Sequence, residues 1–358
     1  MLIAPHPDDE SLACGISLQR ARAAGATVRV VYLTDGENNP WPQRLIECKW
    51  RLDRADRERW GRMRRQEALS ALRVLGIDTG NVAFLGLPDQ GLTDLLLHDP
   101  AAMARVFENV IVDFAPTHLF FPSLSDIHAD HNATAVAMHL ALRNLETRMP
   151  APATWVFAVH GRDEELDDDV AVVPESRAEA ATKLAAVEEH RSQLKLSGRR
   201  FRDYCRRPEY FHELERDVAW TDNAFLRTQW VGAESITLTL QLPRRLTLKA
   251  RPRVLVLAHR SGGDPLGVIL TVPLRSQHVD LVEVATQDRI TSGFWEITAG
   301  NTIRLTIDPS PFSRRHPLYV KLDHRPIFFD TAGWIEIATP PLGLMESAPA
   351  RSKVVAAA

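Results

Sequence analysis

The sequence predicts a two-part chain: an α/β domain with a mainly parallel sheet and helices on both faces, then an all-β, sandwich-like domain. Three observations predict it. Continuous apolar runs alternate with helix-period segments up to about residue 215. Beyond about residue 218 apolar and polar residues alternate strictly, the mark of antiparallel strands with one wet face. A length of 358 residues exceeds one typical domain and fits two.

Taken in order, Met1–Ala4 leaves room for only a short first strand, so either that strand is short or the natural start lies upstream. A helix follows over "SLACGISLQRARAAG", stopped by Gly25. "VRVVYLTDG" (Val28–Gly36) is an apolar run closed by a turn signal, and "NVAFLGLPD" and "HLFFPSLSD" are two more. Runs of this kind suit strands covered on both faces. Helices are expected over "ADRERWGRMRRQEALSALRVLG", "HNATAVAMHLALRNL" and "SRAEAATKLAAVEEHRSQL". The basic run "KLSGRRFRDYCRR" reads as a linker approaching the second domain, with anion binding as its alternative.

In the second domain "SITLTLQL" puts Ile236, Leu238, Leu240 and Leu242 on one face. "TIRLTI" and "LYVKL" repeat the pattern with Ile303, Leu305 and Ile307 and with Leu318, Val320 and Leu322. "VDLVEV" breaks phase between Leu281 and Val282, as a bulge would. The expected boundaries are 1–217, 218–343 and a small, polar, disordered tail over 344–358.

Composition removes several classes. A net charge of −3 argues against a dedicated nucleic-acid surface. No segment has the apolar length of a membrane span, and no basic region followed by an apolar run marks a signal peptide. The three cysteines, Cys14, Cys48 and Cys205, are odd in number and far apart, so no disulfide framework follows and a reducing, cytoplasmic setting is expected.

Chemistry concentrates in two loops. "PHPDDE" falls between the first strand and the first helix, at a strand's carboxyl end, where open α/β sheets bind ligands. Its prolines restrict the loop backbone. His6 and Asp9 supply two of the three protein ligands of a catalytic zinc, and Asp8 is placed to take a proton from the attacking water. Capping the helix is the alternative role for Asp8. The third ligand is expected from "SDIHADH" at the end of another strand. His131 completes two histidines and a carboxylate, leaving a coordination position open. His128 then sits near the reacting carbonyl as a proton donor, with Asp130 fixing its tautomer. His139, inside the following helix, reads as structural or surface.

"APHPDDESLACG", "YLTDGE", "RRQEALSALRVLG", "FLGLPDQGL", "HADH" and "KLAAVEEHRSQL" together resemble the LmbE-like, or PIG-L, family of zinc-dependent N-acetylglucosaminyl de-N-acetylases over roughly residues 1–195. The resemblance implies a Rossmann-like domain with one zinc per chain on His6, Asp9 and His131. It implies Asp8 as general base, and His128 as the donor that stabilises the tetrahedral intermediate and protonates the leaving amine, partnered by Asp130. Arg64 and Asp89 match positions that contact sugar hydroxyls. The implied partner is an N-acetylated amino sugar or its conjugate, with no nucleic acid and no membrane span; oligomerisation is left open.

Softer features complete the reading. Trp41, in "YLTDGENNPWP", lines the pocket or lies on a plain surface loop. The arginine-rich stretch Arg51–Arg65 is a solvated helix face, or alternatively a site for an acidic substituent. Trp295, Tyr319 and Trp334 are core residues, or stack on sugars. Two competing functions are defined. "DIHADH", with Asp126 where a first histidine belongs, defines a two-metal hydrolase of esters or phosphodiesters. A glycan- or protein-binding role through the β domain is the non-enzymatic alternative.

Overall fold

A computed structural model describes residues 1–161, 170–172, 174–214, 226–231, 235–241, 252–273, 275–298, 302–323, 329–330 and 333–337. Leu242 and the tail expected over 344–358 lie outside the described residues. The chain divides into two compact units, Met1–Val218 with Arg325–Trp334, and Ala219–His324 with Ile335–Ala358. Arg325–Trp334, inside the stretch expected over 218–343, goes with the first unit.

The first unit runs β1 (Leu2–Ala4), α1 (Asp9–Ala23), β2 (Val30–Thr34), α2 (Pro40–Glu47), α3 (Arg54–Val74), β3 (Val82–Leu87), α4 (Leu92–His98), α5 (Pro100–Phe114) and β4 (His118–Pro122). It continues with α6 (Ala129–Leu145), β5 (Ala153–Phe157), β6 (Val170–Val172), α7 (Arg177–Glu189), α8 (Arg191–Tyr204) and β7 (Glu209–Glu213). The sheet order is β3-β2-β1-β4-β5-β7-β6. Its first five strands pair in parallel, and β7 joins β5 and β6 antiparallel. Both faces are covered. Leu2, Ala4, Val30 and Tyr32 pack with Leu12 and Leu18 of α1, Leu72 of α3 and Val187 of α7. The alternate residues Ile3, Val31 and Leu33 are just as fully buried. Short β1 works because it is central and enclosed, so its three residues need no exposed edge.

Strand order reverses between β1 and β4. Crossovers from β1 leave toward β2 and β3, whereas β4 and β5 extend the other way, which opens a crevice above the carboxyl ends of these two strands. β1 ends into Pro5–Asp8 and β4 into Ser123–His128, so the topology brings the two motif loops together.

Several local expectations are corrected. "SRAEAATKLAAVEEHRSQL" is not one helix: α7 and α8 meet at His190, whose ψ of 54° breaks the run. The basic run expected as a linker forms much of α8. The proline- and tryptophan-containing loop after β2 becomes α2, with Pro40 at its first position, where a missing N–H costs nothing. Trp41 on it is 47% exposed.

The second unit is all antiparallel: β8 (Leu226–Val231), β9 (Ser235–Gln241), β10 (Arg253–His259), β11 (Pro265–Thr271), β12 (Gln277–Glu283), β13 (Arg289–Ile297), β14 (Thr302–Ile307), β15 (Leu318–Asp323) and β16 (Ile335–Ile337). They form one sheet, ordered β16-β15-β10-β11-β12-β13-β14-β9-β8. Ile236, Leu238 and Leu240 share a core with Val254, Val320 and Leu322, although β9 and β15 stand far apart in that order. The sheet therefore curls until its arms face each other, half a barrel closed over one apolar filling. The register shifts between Leu281 and Val282, where the phase break predicts a bulge. Trp295 and Tyr319 are fully buried here and Trp334 is buried in the first unit, so none offers a face to a sugar. Among the described residues no helix is long and apolar enough to cross a membrane.

Candidate metal centre

The first loop is tied down before it does any chemistry. Thr34, at the end of β2, donates both its N–H and its hydroxyl to the Pro5 carbonyl, at 3.0 and 2.9 Å. Asp8 stands at the N-cap of α1 with φ 141°, a left-handed backbone that an L-residue adopts only under constraint. Its side chain caps nothing. The capping role is thus set aside: the carboxylate turns to Arg64, whose Nη2 donates to Oδ2 at 3.0 Å.

Three atoms converge in the crevice. His6 Nδ1 and His131 Nε2 lie 3.1 Å apart, Asp9 Oδ2 is 3.3 Å from His131 Nε2, and the same oxygen is 3.6 Å from His6 Nδ1. Tetrahedral zinc bonds of about 2.0–2.1 Å imply ligand–ligand edges of roughly 3.3 Å, so this triangle has the right size for one such ion. At 3.1 Å no more than one of the two facing nitrogens carries a proton, and a cation satisfies both. The outer ring nitrogens are held by carboxylates. His6 Nε2 lies 3.2 Å from Asp130 Oδ2 and 3.3 Å from Asp89 Oδ1; His131 Nδ1 lies 3.0 Å from Asp126 Oδ2. Each carboxylate keeps a proton on the outer nitrogen and leaves the inner one bare.

The electrostatics point the same way. Burial opposes charge on His131, but Asp9 and Asp126 outweigh it and raise its pKa to about 10. Burial likewise opposes charge on His6, and hydrogen bonds to Asp130, Asp89 and Asp9 push it well above the ordinary value. Asp9 moves well below the carboxylate range, burial being overcome by His131 and His6. The pocket attracts positive charge. Among the described residues, two further overlapping groups, His6 with His128 and His131, and Asp9 with His131 and His160, also have ligand spacing, as does His6 with Asp89 and Asp130.

The remaining expected residues fall at the same place with altered partners. His128 is the N-cap of α6, and its Nδ1 accepts the Asp130 N–H at 3.3 Å. Burial and the neighbouring His6 hold His128 well below its ordinary pKa, so the neutral ring carries its proton on Nε2. Asp130 does not fix His128 through its carboxylate. That group faces His6 and accepts the N–H groups of Gln90 at 2.7 Å and Leu92 at 3.1 Å, because the loop before α4 crosses directly over the start of α6. Asp89 is buried against His6 and accepts the Asn38 N–H at 2.7 Å. Arg64, expected at sugar hydroxyls, is 4% exposed. Its guanidinium grips the Gly36 and Pro7 carbonyls at 2.8 and 2.6 Å besides Asp8. It is a strut for the loop. A Cβ on Gly36, at φ 63°, would lie 1.6 Å from its Nη1, so only glycine fits there.

Sequence reasoning missed two contributors, Glu10 and His160, and gave a third another role. Asp126 is a hub: besides His131 it accepts the N–H groups of His128 at 2.8 Å, Val159 at 2.9 Å and His160 at 3.1 Å. Three of these bonds fall on Oδ2 and one on Oδ1, so the carboxylate is held firmly behind His131. Glu10 accepts the Asp8 N–H at 3.0 Å and pairs with His190 Nε2 at 2.8 Å. His160 borders the cluster, its ring 5.1 Å from that of His131.

The family model described as GlcNAc-PI de-N-acetylase, PIG-L, matches residues 1–142. The match lies within the α/β part of the chain and contains both motif loops. Among curated relatives, a probable N-acetyl-alpha-D-glucosaminyl L-malate deacetylase 2 of Bacillus subtilis is 26% identical over 227 residues, covering 62% of this chain and 96% of its own. A 1D-myo-inositol 2-acetamido-2-deoxy-alpha-D-glucopyranoside deacetylase of Mycobacteroides abscessus is 38% identical over 111 residues, 29% of this chain and 37% of its own. Among solved structures, N,N'-diacetylchitobiose deacetylase from Pyrococcus horikoshii aligns over 60% of this chain and 82% of its own, at 18% identity and a TM-score of 0.45.

Proposed function

We propose that this chain is a metal-dependent amide hydrolase that removes the acetyl group from an N-acetylated amino sugar or its conjugate. The observation that carries the reading is the triangle of His6 Nδ1, His131 Nε2 and Asp9 Oδ2 with Asp8 fixed beside it. The activities named for the Bacillus and Mycobacteroides relatives support the choice of bond and of sugar.

His6, Asp9 and His131 would hold one divalent cation, and a donor set of two imidazoles and a carboxylate suits zinc. When bound, the cation polarises the acetyl carbonyl and makes a water more acidic. Asp8 takes the water's proton. Burial lifts its pKa to about 6, against the pull of Arg64, so the carboxylate is ionised at neutral pH yet basic enough to act. Arg64 and the Glu10 contact to the Asp8 N–H keep it aimed. His128 donates from Nε2 to the carbonyl oxygen as negative charge develops there. The amide nitrogen then needs one proton to leave as an amine, and Asp8 returns to it the proton taken from water, while neutral His128 keeps its own. Acetate and the free amino sugar result.

The test is acetate release from a panel of N-acetylated sugars by the zinc-loaded chain. Asp8→Asn is expected to keep one metal per chain and to lose about 10²–10⁴ in rate. His131→Ala is expected to lose the metal. Loss of metal from Asp8→Asn would overturn the division between base and ligand. Absence of acetate from every sugar would overturn the deacetylase reading.

A further inference from the structure

Beside His128 the crevice has a wall that no motif announces. Phe329 forms an isolated antiparallel bridge with His128, and its ring stands edge-on to that imidazole at 5.7 Å and 5.1 Å from the ring of His160. The segment is anchored to the metal loop. Asp330 N–H donates to the Ile127 carbonyl at 2.7 Å, and the Asp330 carboxylate accepts from Asn132 Nδ2 at 3.1 Å.

Arg200 of α8 is held against this wall. Its guanidinium carbon lies 5.5 Å from the Phe329 ring centroid and 5.8 Å from that of Tyr204. Its Nη2 donates to His160 Nδ1 at 2.7 Å and to the Tyr204 hydroxyl at 3.3 Å. Nε and Nη1 meet no acceptor among the described residues, and the side chain is exposed. A surface arginine normally samples many rotamers. This one is pinned by two rings and two hydrogen bonds, with one edge of its donor fork unused, and its partner His160 lies against His131 of the triangle. A fork so placed matches a carboxylate or phosphate. A sugar substituent lying along this wall beside His128 would meet that fork.

We propose that Arg200, positioned by Phe329, Tyr204 and His160, binds an anionic group carried by the acetylated sugar, so that the preferred substrates are acidic conjugates. The proposal rests on the deacetylase reading above. Arg200 is the specificity contact, and Phe329 acts through it.

The experiment measures kcat and KM of the full, zinc-loaded chain on three N-acetylglucosamine derivatives: the 1-phosphate, a carboxymethyl glycoside and the neutral methyl glycoside. The wild type is expected to favour at least one anionic derivative by about tenfold or more in kcat/KM, mostly through KM, as a charged hydrogen bond provides. Which of the two it favours tells phosphate from carboxylate. Arg200→Gln is expected to abolish the preference, and Arg200→Lys to restore part of it. Phe329→Ala is expected to shrink the preference with Arg200 still present, and Phe329→Trp to retain it. Equal kcat/KM on all three derivatives by an active wild type overturns the proposal and leaves the deacetylase standing. A preference that survives Arg200→Gln does the same. Inactivity of the wild type on all three overturns the deacetylase reading and this proposal with it.

Discussion

Asp126 shows how much of the centre depends on a residue that touches no reacting atom. Its two oxygens take one imidazole and three backbone N–H groups, and so fix His131, His128 and the turn at Val159–His160 at once. Asp126→Asn is expected to weaken metal affinity by about 10–100-fold, because an amide cannot accept from all four donors. Competition with a chelator would measure it, and wild-type affinity in the variant would refute the role. That His6, Asp9 and His131 meet in one crevice was legible in the sequence, because two clustered motifs at strand ends leave few other arrangements. The part Asp126 plays was not, since its place in "DIHADH" offers it as a motif position and says nothing of the backbone N–H groups it holds. Arg64 was misread for a related reason: a guanidinium in an arginine-rich helix does not announce that it points inward.

At the scale of elements, the break between α7 and α8 exists because His190 turns inward to Glu10. Helical periodicity runs straight through that position, so only the buried partner explains the corner. Burial opposes charge on His190, yet Glu10 outweighs it and raises the pKa above the ordinary 6.5. Above that value the unfolded chain binds fewer protons at this site than the folded one. The stabilisation is therefore complete below about pH 6.5 and fades as pH climbs through the raised value. Glu10 runs oppositely, lowered from 4.5, and its contribution is lost only in acid. The melting-temperature gap between wild type and His190→Gln should be widest near about pH 6 and narrow in alkali. A gap that widens with pH would show that the pair does not form. The parallel order of β1 to β5 was easier to foresee, because continuous apolar runs separated by helices admit few other arrangements.

For the whole molecule, the division into an α/β part and an antiparallel part followed from the change of period near residue 218. The return of Arg325–Trp334 to the first unit did not, since nothing local to those residues encodes a partner some 200 positions earlier. Gly333 makes the return close: a Cβ there would lie 1.8 Å from the Leu124 carbonyl oxygen. Gly333→Ala should overpack this contact, cost roughly 1–3 kcal/mol and weaken metal binding by displacing the loop that leads into α6 and its His131. Urea midpoints and metal titration together would check it; an unchanged midpoint and affinity would mean the loop yields freely.

That same return sets a timetable for the growing polypeptide. All three side chains of the proposed cation site have been made by residue 131, but the bond from Asn132 to Asp330 spans 198 positions. At ordinary translation speeds the ribosome needs roughly 10–40 s to cover that interval. Through all of it the nascent chain carries a finished set of ligands in an unfinished mount, and the last of the mount arrives only after most of the antiparallel sheet has been threaded out.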